Sequence, residues 1–125
     1  MKTVLIAIFS LLTLSFVRQA DGGNIVKALK AGDATEVGSY FDKFLDIKFP
    51  EKDEIKSIGK NQASIALKSF FSENNITGFE LASQREMGGT MYITGKLLND
   101  AKGFNLTLMM KSKEDKQQII TVRIN

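Results

Sequence analysis

The stretch TGFELASQREMGGTMYITGKLLNDAKGFNLTLMMKSKEDKQQIITVRI, residues 77–124, decides the fold. Short polar turns divide it into four segments of about 8 to 10 residues, each rich in alternating apolar and polar side chains. Gly88-Gly89 is a hairpin turn between the first two segments. Because such short turns join only neighbouring strands that run in opposite directions, the stretch predicts a four-stranded antiparallel meander. The predicted strands are 77–86, 90–98, 104–111 and 117–124.

Strict alternation divides this sheet into two faces, since successive side chains of a strand point to opposite sides. The face expected to lie against helices carries Phe79, Leu81, Met91, Ile93, Phe104, Leu106, Leu108, Met110, Ile120, Val122 and Ile124. The outer face is polar with four apolar positions among its residues. These apolar positions are Ala82, Leu98, Met109 and Ile119.

Residues 23–76 carry the helical periodicity. Residues 23–31 form a predicted helix that ends at Gly32, and Asp33 to Glu36 form a capping box for a second short helix. We expect that second helix to place Val37, Tyr40 and Phe41 on one face. A strand over residues 44–49 ends at Pro50, and residues 55–58 form a brief return strand.

A longer helix is predicted over residues 61–72. Its apolar side consists of Ile65, Ala66, Leu67, Phe70 and Phe71. The order of elements predicts an α+β fold, in which an N-terminal helical hairpin and one longer helix pack on a curved antiparallel sheet of four long strands plus one or two short ones.

The first 22 residues are typical of a secretory signal peptide, because Lys2 precedes an almost wholly apolar run from Val4 to Val17. That run is too short to span a membrane comfortably. We place cleavage in the region 20–22 without choosing a bond. The sequence thus predicts an exported protein, periplasmic or extracellular, with one domain over residues 23–125 and no stable membrane span after cleavage.

The residue types that are missing exclude several kinds of chemistry. The chain has no Cys and no His, so disulfides, thiolate or imidazole metal sites, Cys–His pairs and Ser-His-Asp triads cannot form. We expect neither a metal nor another cofactor. The net charge of +3 is too small and too evenly spread to predict nucleic-acid binding.

Four segments of the chain carry a resemblance: residues 25–34 (IVKALKAGDA), Tyr40-Phe41, residues 60–71 and the closing residues 120–124 (ITVRI). In these segments the chain resembles a family of short exported proteins of unknown function from Bacteroidetes. The order of elements is also similar to the cystatin-like cone fold of the nuclear-transport-factor-2-like proteins, which include ketosteroid isomerase. The resemblance implies a pocket between helices and sheet, while fold alone assigns no activity.

Three functional hypotheses follow. The first is non-catalytic binding of a small apolar ligand or a protein partner in a pocket lined by Tyr40, Phe41, Phe70, Phe104, Leu106 and Leu108. The second is an isomerase- or hydratase-like enzyme, for which the candidate residues are Tyr40, Asp42 and Asp46. That chemistry needs a carboxylate inside an apolar cavity, and the lack of His weakens it further. The third is a homodimer or interaction protein that uses the outer sheet face through Tyr92, Leu98, Met109 and Ile119.

Overall fold

The structure, a computed structural model, describes residues 20–125. Residues 1–19 of the predicted signal peptide therefore lie outside the described residues. The predicted cleavage region, residues 20–22, lies in the first turn of the first helix. The helices are α1 (Ala20–Lys30), α2 (Ala34–Gly38) and α3 (Lys60–Glu73). The strands are β1 (Phe41–Lys48), β2 (Ile55–Gly59), β3 (Gly78–Met87), β4 (Thr90–Leu98), β5 (Phe104–Lys113) and β6 (Lys116–Ile124). Within residues 20–125 no helix combines the length and the apolar character needed to cross a membrane.

All six strands belong to one curved sheet of order β2-β1-β6-β5-β4-β3. The predicted meander is confirmed, because β3 to β6 pair with their sequence neighbours in antiparallel fashion. β1 runs parallel to β6 and antiparallel to β2, so it connects the two halves of the chain. The helices pack on one face of the sheet, which confirms the α+β class.

The turn at Gly32-Asp33 joins α1 to α2, as the sequence predicts. α1 ends in a Schellman motif, in which Gly32 has φ +67° and the Asp33 amide donates to the Ala28 carbonyl over 2.9 Å. Asp33 then caps α2, because its Oδ1 accepts a hydrogen bond from the Glu36 amide over 3.0 Å.

The second helix is shorter than the sequence predicts. It ends at Gly38, so Tyr40 and Phe41 do not share a helix face with Val37, and Phe41 begins β1 instead. The reason is strand pairing: the Tyr40 carbonyl accepts a hydrogen bond from the Ile119 amide of β6 over 2.8 Å. A non-local backbone contact thus overrides the local helical pattern.

The long helix α3 turns a narrower face to the core than predicted. Ala63, Leu67 and Phe71 are buried at a spacing of four residues. Ile65 is 66% exposed, so its assignment to the apolar side was wrong. The periodic stripe passes through Ala63, whose small side chain gave a weak signal in the sequence.

Two β-bulges alter the predicted faces of the sheet. Opposite β5, Met109 pairs with Thr121 but Met110 pairs with Ile119, so Ile120 is an extra residue. Ile119 is therefore fully buried in the core, and its prediction on the outer face was wrong. Ile120 is only partly buried. The register of β3 shifts in the same way between Leu81 and Ser83, and Leu81 is 38% exposed rather than buried.

On the inner face of the sheet, the ring of Phe79 packs directly against Gly95 of β4. A Cβ atom on Gly95 would collide with the Phe79 ring and with the Glu80 carbonyl oxygen of the neighbouring strand. The absence of a side chain lets the ring of Phe79 lie across β4, and this position requires glycine for packing alone.

We predict that Gly95→Ala lowers the free energy of unfolding by about 1–3 kcal/mol, because the added methyl group overpacks a filled site. Urea denaturation measures the loss. Gly23→Ala is the matched control, since a Cβ there meets no atom within 4 Å and the exposed helical position favours alanine. Equal stability of Gly95→Ala and the wild type would contradict the described packing.

Candidate functional site

A cleft lies between the C-terminal half of α3 and the segment that joins β1 to β2. Its volume is about 570 Å³, which is in the range of small-molecule sites. We call it the aromatic cleft. Its lining residues are Phe49, Pro50, Glu51, Lys52, Ile55, Ala66, Ser69, Phe70, Glu73, Asn74 and Phe104.

Three phenylalanine rings form the apolar wall of the aromatic cleft. The ring centroids of Phe49 and Phe70 are 5.3 Å apart at an interplanar angle of 33°. Those of Phe70 and Phe104 are 5.1 Å apart at 67°, an edge-to-face contact. All three rings are only partly buried, although they pack against the core. They therefore leave aromatic surface accessible to a ligand.

Local backbone structure positions this wall. Pro50 follows β1 and cannot donate to the sheet, and the next residue, Glu51, has φ +61°. At the other side Asn74 ends α3, where its backbone amide and its side-chain amide both donate to the Phe70 carbonyl, over 3.0 and 2.9 Å. The Asn99 side chain in turn donates to the Asn74 carbonyl over 3.0 Å. The carbonyl of Phe70 thus accepts two hydrogen bonds from Asn74.

The rim of the aromatic cleft carries charge. Glu51, Lys52 and Glu73 are exposed, and among the described residues none of these side chains takes part in an ion pair. The last turn of α3 contains no basic residue. The cleft thus combines an apolar wall with charged rim side chains that form no ion pairs among the described residues.

The predicted pocket residues do not lie together. Phe70 and Phe104 line the aromatic cleft. Leu106 and Leu108 are 2% and 1% exposed and belong to the packed core, so their expected place in a pocket was wrong. Phe41 is mostly buried but lines two smaller clefts at the start of β1, one of them together with Tyr40. Tyr40 lines a different cleft near the tip of the β5–β6 hairpin, together with Lys60 and Gln117 among others. The first lining ring, Phe49, was not predicted because the sequence placed it only at the end of a strand.

The three catalytic candidates do not line one cleft. Tyr40 and Asp42 line two adjacent clefts that share Phe41, Lys60 and Gln118, and Asp46 lines neither of these nor the aromatic cleft. Asp46 has a structural contact, since its Oδ1 accepts a hydrogen bond over 2.9 Å from the amide of Ser57, a residue with φ +54° in β2. The carboxylate thereby stabilises the irregular β1–β2 pairing.

Asp42 forms an ion pair with Lys113 of the β5–β6 hairpin, with 2.6 Å between Oδ2 and Nζ. The hydrogen bond from Lys113 lowers the pKa of the Asp42 carboxyl, although burial opposes this shift. The Lys43 amide also donates to this carboxylate over 2.8 Å. A general acid at neutral pH needs a raised pKa, so this direction disfavours proton donation by Asp42. Within residues 20–125, no group of three or more acidic side chains could hold a metal ion.

The outer face keeps three of its four predicted contact residues. Tyr92 of β4 lies directly opposite Met109 of β5, which lies opposite Thr121 of β6. Leu98 is 37% exposed at the end of β4. Ile119 lies on the inner face, as described above. Near the end of β6, Arg123 pairs with Glu54 over 3.6 Å.

We predict that Lys113→Gln destabilises the fold by about 0.2–1 kcal/mol near neutral pH, because Lys113 is half exposed and the pair is screened by solvent. The pKa of Asp42 is lowered in the folded state, so its contribution is fully present above the ordinary carboxyl pKa and is lost as the pH falls below that value and through the lowered pKa. Urea denaturation at about pH 7 and about pH 2.5 measures both values.

Lys111→Gln is the matched control for this measurement, since Lys111 is an exposed lysine of the same strand with no ion pair among the described residues. A destabilisation by Lys113→Gln that is the same at both pH values would contradict the assignment to Asp42.

Solved structures of similar proteins share the architecture. A protein from Bacteroides uniformis has a TM-score of 0.75 at 20% identity, covering 82% of this chain and 94% of its own. An uncharacterised cystatin-fold protein from Novosphingobium aromaticivorans has a TM-score of 0.63 at 14% identity, over 86% and 97%. An NTF-2-like protein of unknown function from Shewanella oneidensis has a TM-score of 0.58 at 14% identity, over 82% and 90%.

At these identities the similarity shows the fold, which is the nuclear-transport-factor-2-like, cystatin-like fold that the sequence resembles. None of the curated proteins matches the chain. The Bacteroides uniformis protein is a member of the DUF4783 family. The family described as "Domain of unknown function (DUF4783)" matches residues 23–125, and the chain therefore belongs to the DUF4783 family.

Proposed function

We propose that this protein is exported and binds a small apolar ligand in the aromatic cleft, without catalysing a reaction. The observation that carries the proposal is the partly buried trio of Phe49, Phe70 and Phe104 around a cleft of about 570 Å³. Burial of such rings against a ligand is favourable, because their accessible apolar surface leaves water.

The packing of the remaining inner face supports this choice of site. Leu106 and Leu108, further along β5 from Phe104, are buried almost completely. Apolar surface for a ligand is therefore offered at the edge of the helix–sheet interface, where Phe104 begins β5. The enzyme hypothesis has less support, because Asp42 is ion-paired with Lys113 and the Asp46 carboxylate binds the Ser57 amide.

The substitution Ala66→Trp tests this proposal, because Ala66 lines the aromatic cleft and a large ring there fills its space. We expect indole and hexanol to shift the backbone amide resonances of the cleft residues in the wild-type protein. The substitution should weaken this binding by at least about tenfold, since a ligand of this size needs a concave site that buries most of its surface.

Ile65→Trp is the control, since the preceding position on α3 is 66% exposed and does not line the cleft. It should bind both compounds as the wild type does. The proposal is wrong if neither compound shifts the cleft resonances, or if Ala66→Trp binds them unchanged.

A second candidate function is homodimerisation through the outer sheet face. The observation in its favour is the continuous row of Tyr92, Met109 and Thr121 across three strands, of which Thr121 is only 9% exposed. A continuous row of this kind is suited to a two-fold contact, in which the same patch serves both partners.

Sedimentation tests this candidate. We expect the wild type to associate with rising concentration and Met109→Lys to remain monomeric, because a buried unpaired charge opposes association. Met87→Lys is the control, since Met87 lies at the β3–β4 turn and is 59% exposed. A wild-type protein that stays monomeric throughout would exclude this function.

A further inference from the structure

We infer that the ligand of the aromatic cleft is a small soluble organic cation, an ammonium group attached to an apolar body. This inference rests on the proposed function, because it assigns the chemical class of the molecule that the cleft binds. Three independent features of the cleft favour positive charge over neutral or negative groups: its ring faces, its rim carboxylates and the end of α3.

The first feature is the aromatic wall. The faces of phenylalanine rings carry partial negative charge and attract cations within about 6 Å of the ring centre. The rings of Phe49, Phe70 and Phe104 are inclined at 33° and 67°, and each ring is only partly buried. Part of this aromatic surface is therefore accessible to a cation in the cleft, and aromatic sites of this kind bind quaternary ammonium groups.

The second feature is the charge of the rim. The lining contains two carboxylates, Glu51 and Glu73, and one ammonium group, that of Lys52, and no described side chain forms an ion pair with either carboxylate. The lining is thus negative although the whole chain has a net charge of +3. This local reversal of sign attracts a cationic ligand and disfavours an anionic one.

The third feature is the helix end. α3 ends at Glu73, and the carbonyl groups of its last turn give this end partial negative charge. Helices often carry basic residues there, yet the last turn of α3 has none. Asn74 donates two hydrogen bonds to the Phe70 carbonyl but adds no charge. The negative end of the helix dipole therefore adds to the two carboxylates beside the cleft.

The test compares three probes of similar size that differ in charge: benzyltrimethylammonium, benzyl alcohol and benzenesulfonate. Each is titrated into the purified protein while the amide resonances of the cleft are followed. We expect the cation to bind at least about fivefold more tightly than the neutral alcohol, and the sulfonate to bind most weakly.

The double substitution Glu51→Gln with Glu73→Gln should remove most of this preference, which is measured in each variant as the ratio of cation affinity to benzyl alcohol affinity. Glu80→Gln with Glu114→Gln is the control, because it changes the net charge by the same amount at exposed positions away from the cleft. If the control pair lowers cation affinity equally, the effect comes from overall charge and the inference is wrong.

The outcomes separate this inference from the proposed function. Equal binding of the cation and the alcohol would overturn the inference and leave the proposed function intact. No binding of any probe would overturn both. Sedimentation of the protein with phosphatidylcholine vesicles would show that the ammonium group belongs to a lipid headgroup, and would overturn the assignment to a soluble ligand.

Discussion

The parallel pairing of β1 with β6 is the interaction on which the rest of the structure depends. It is the strand pairing that joins the N-terminal half, with its helices, to the C-terminal meander. Ile47 lies beside Val122 in this pair, and both are fully buried. Without this pairing, α3 would not be held against the sheet that contains β5, and the rings of Phe70 and Phe104 would not be in contact.

The meander was predictable because it is local. Each of its strands pairs with the next along the chain, so alternation and turn residues suffice to define it. The assignment of residues to its two faces was wrong where the alternation is interrupted. The extra residue Ile120 places Ile119 in the core, and a bulge near Ala82 leaves Leu81 partly exposed. A bulge adds one residue without changing composition, so the pattern of apolar residues cannot reveal it.

Prediction of the site was limited by the same distinction between local and distant contacts. Phe70 and Phe104 were identified as aromatic residues on surfaces that face each other. Phe49 was missed because its contact with Phe70 depends on the turn at Pro50 and on the path of β2 beneath α3. Leu106 and Leu108 were placed in the pocket because sequence gives no measure of how completely helices fill a sheet face. The backbone pairing of Tyr40 with Ile119 likewise has no local signal.

Because β1 and β6 are far apart in the sequence, β1 is synthesised several seconds before its partner strand. Ile119 follows its partner Phe41 by 78 positions, which a ribosome adds in roughly 4 to 16 s at about 5 to 20 residues per second. Throughout that interval the apolar side chains of Leu45 and Ile47 have no partner strand on that side. The sheet therefore cannot be completed before the ribosome has made β6.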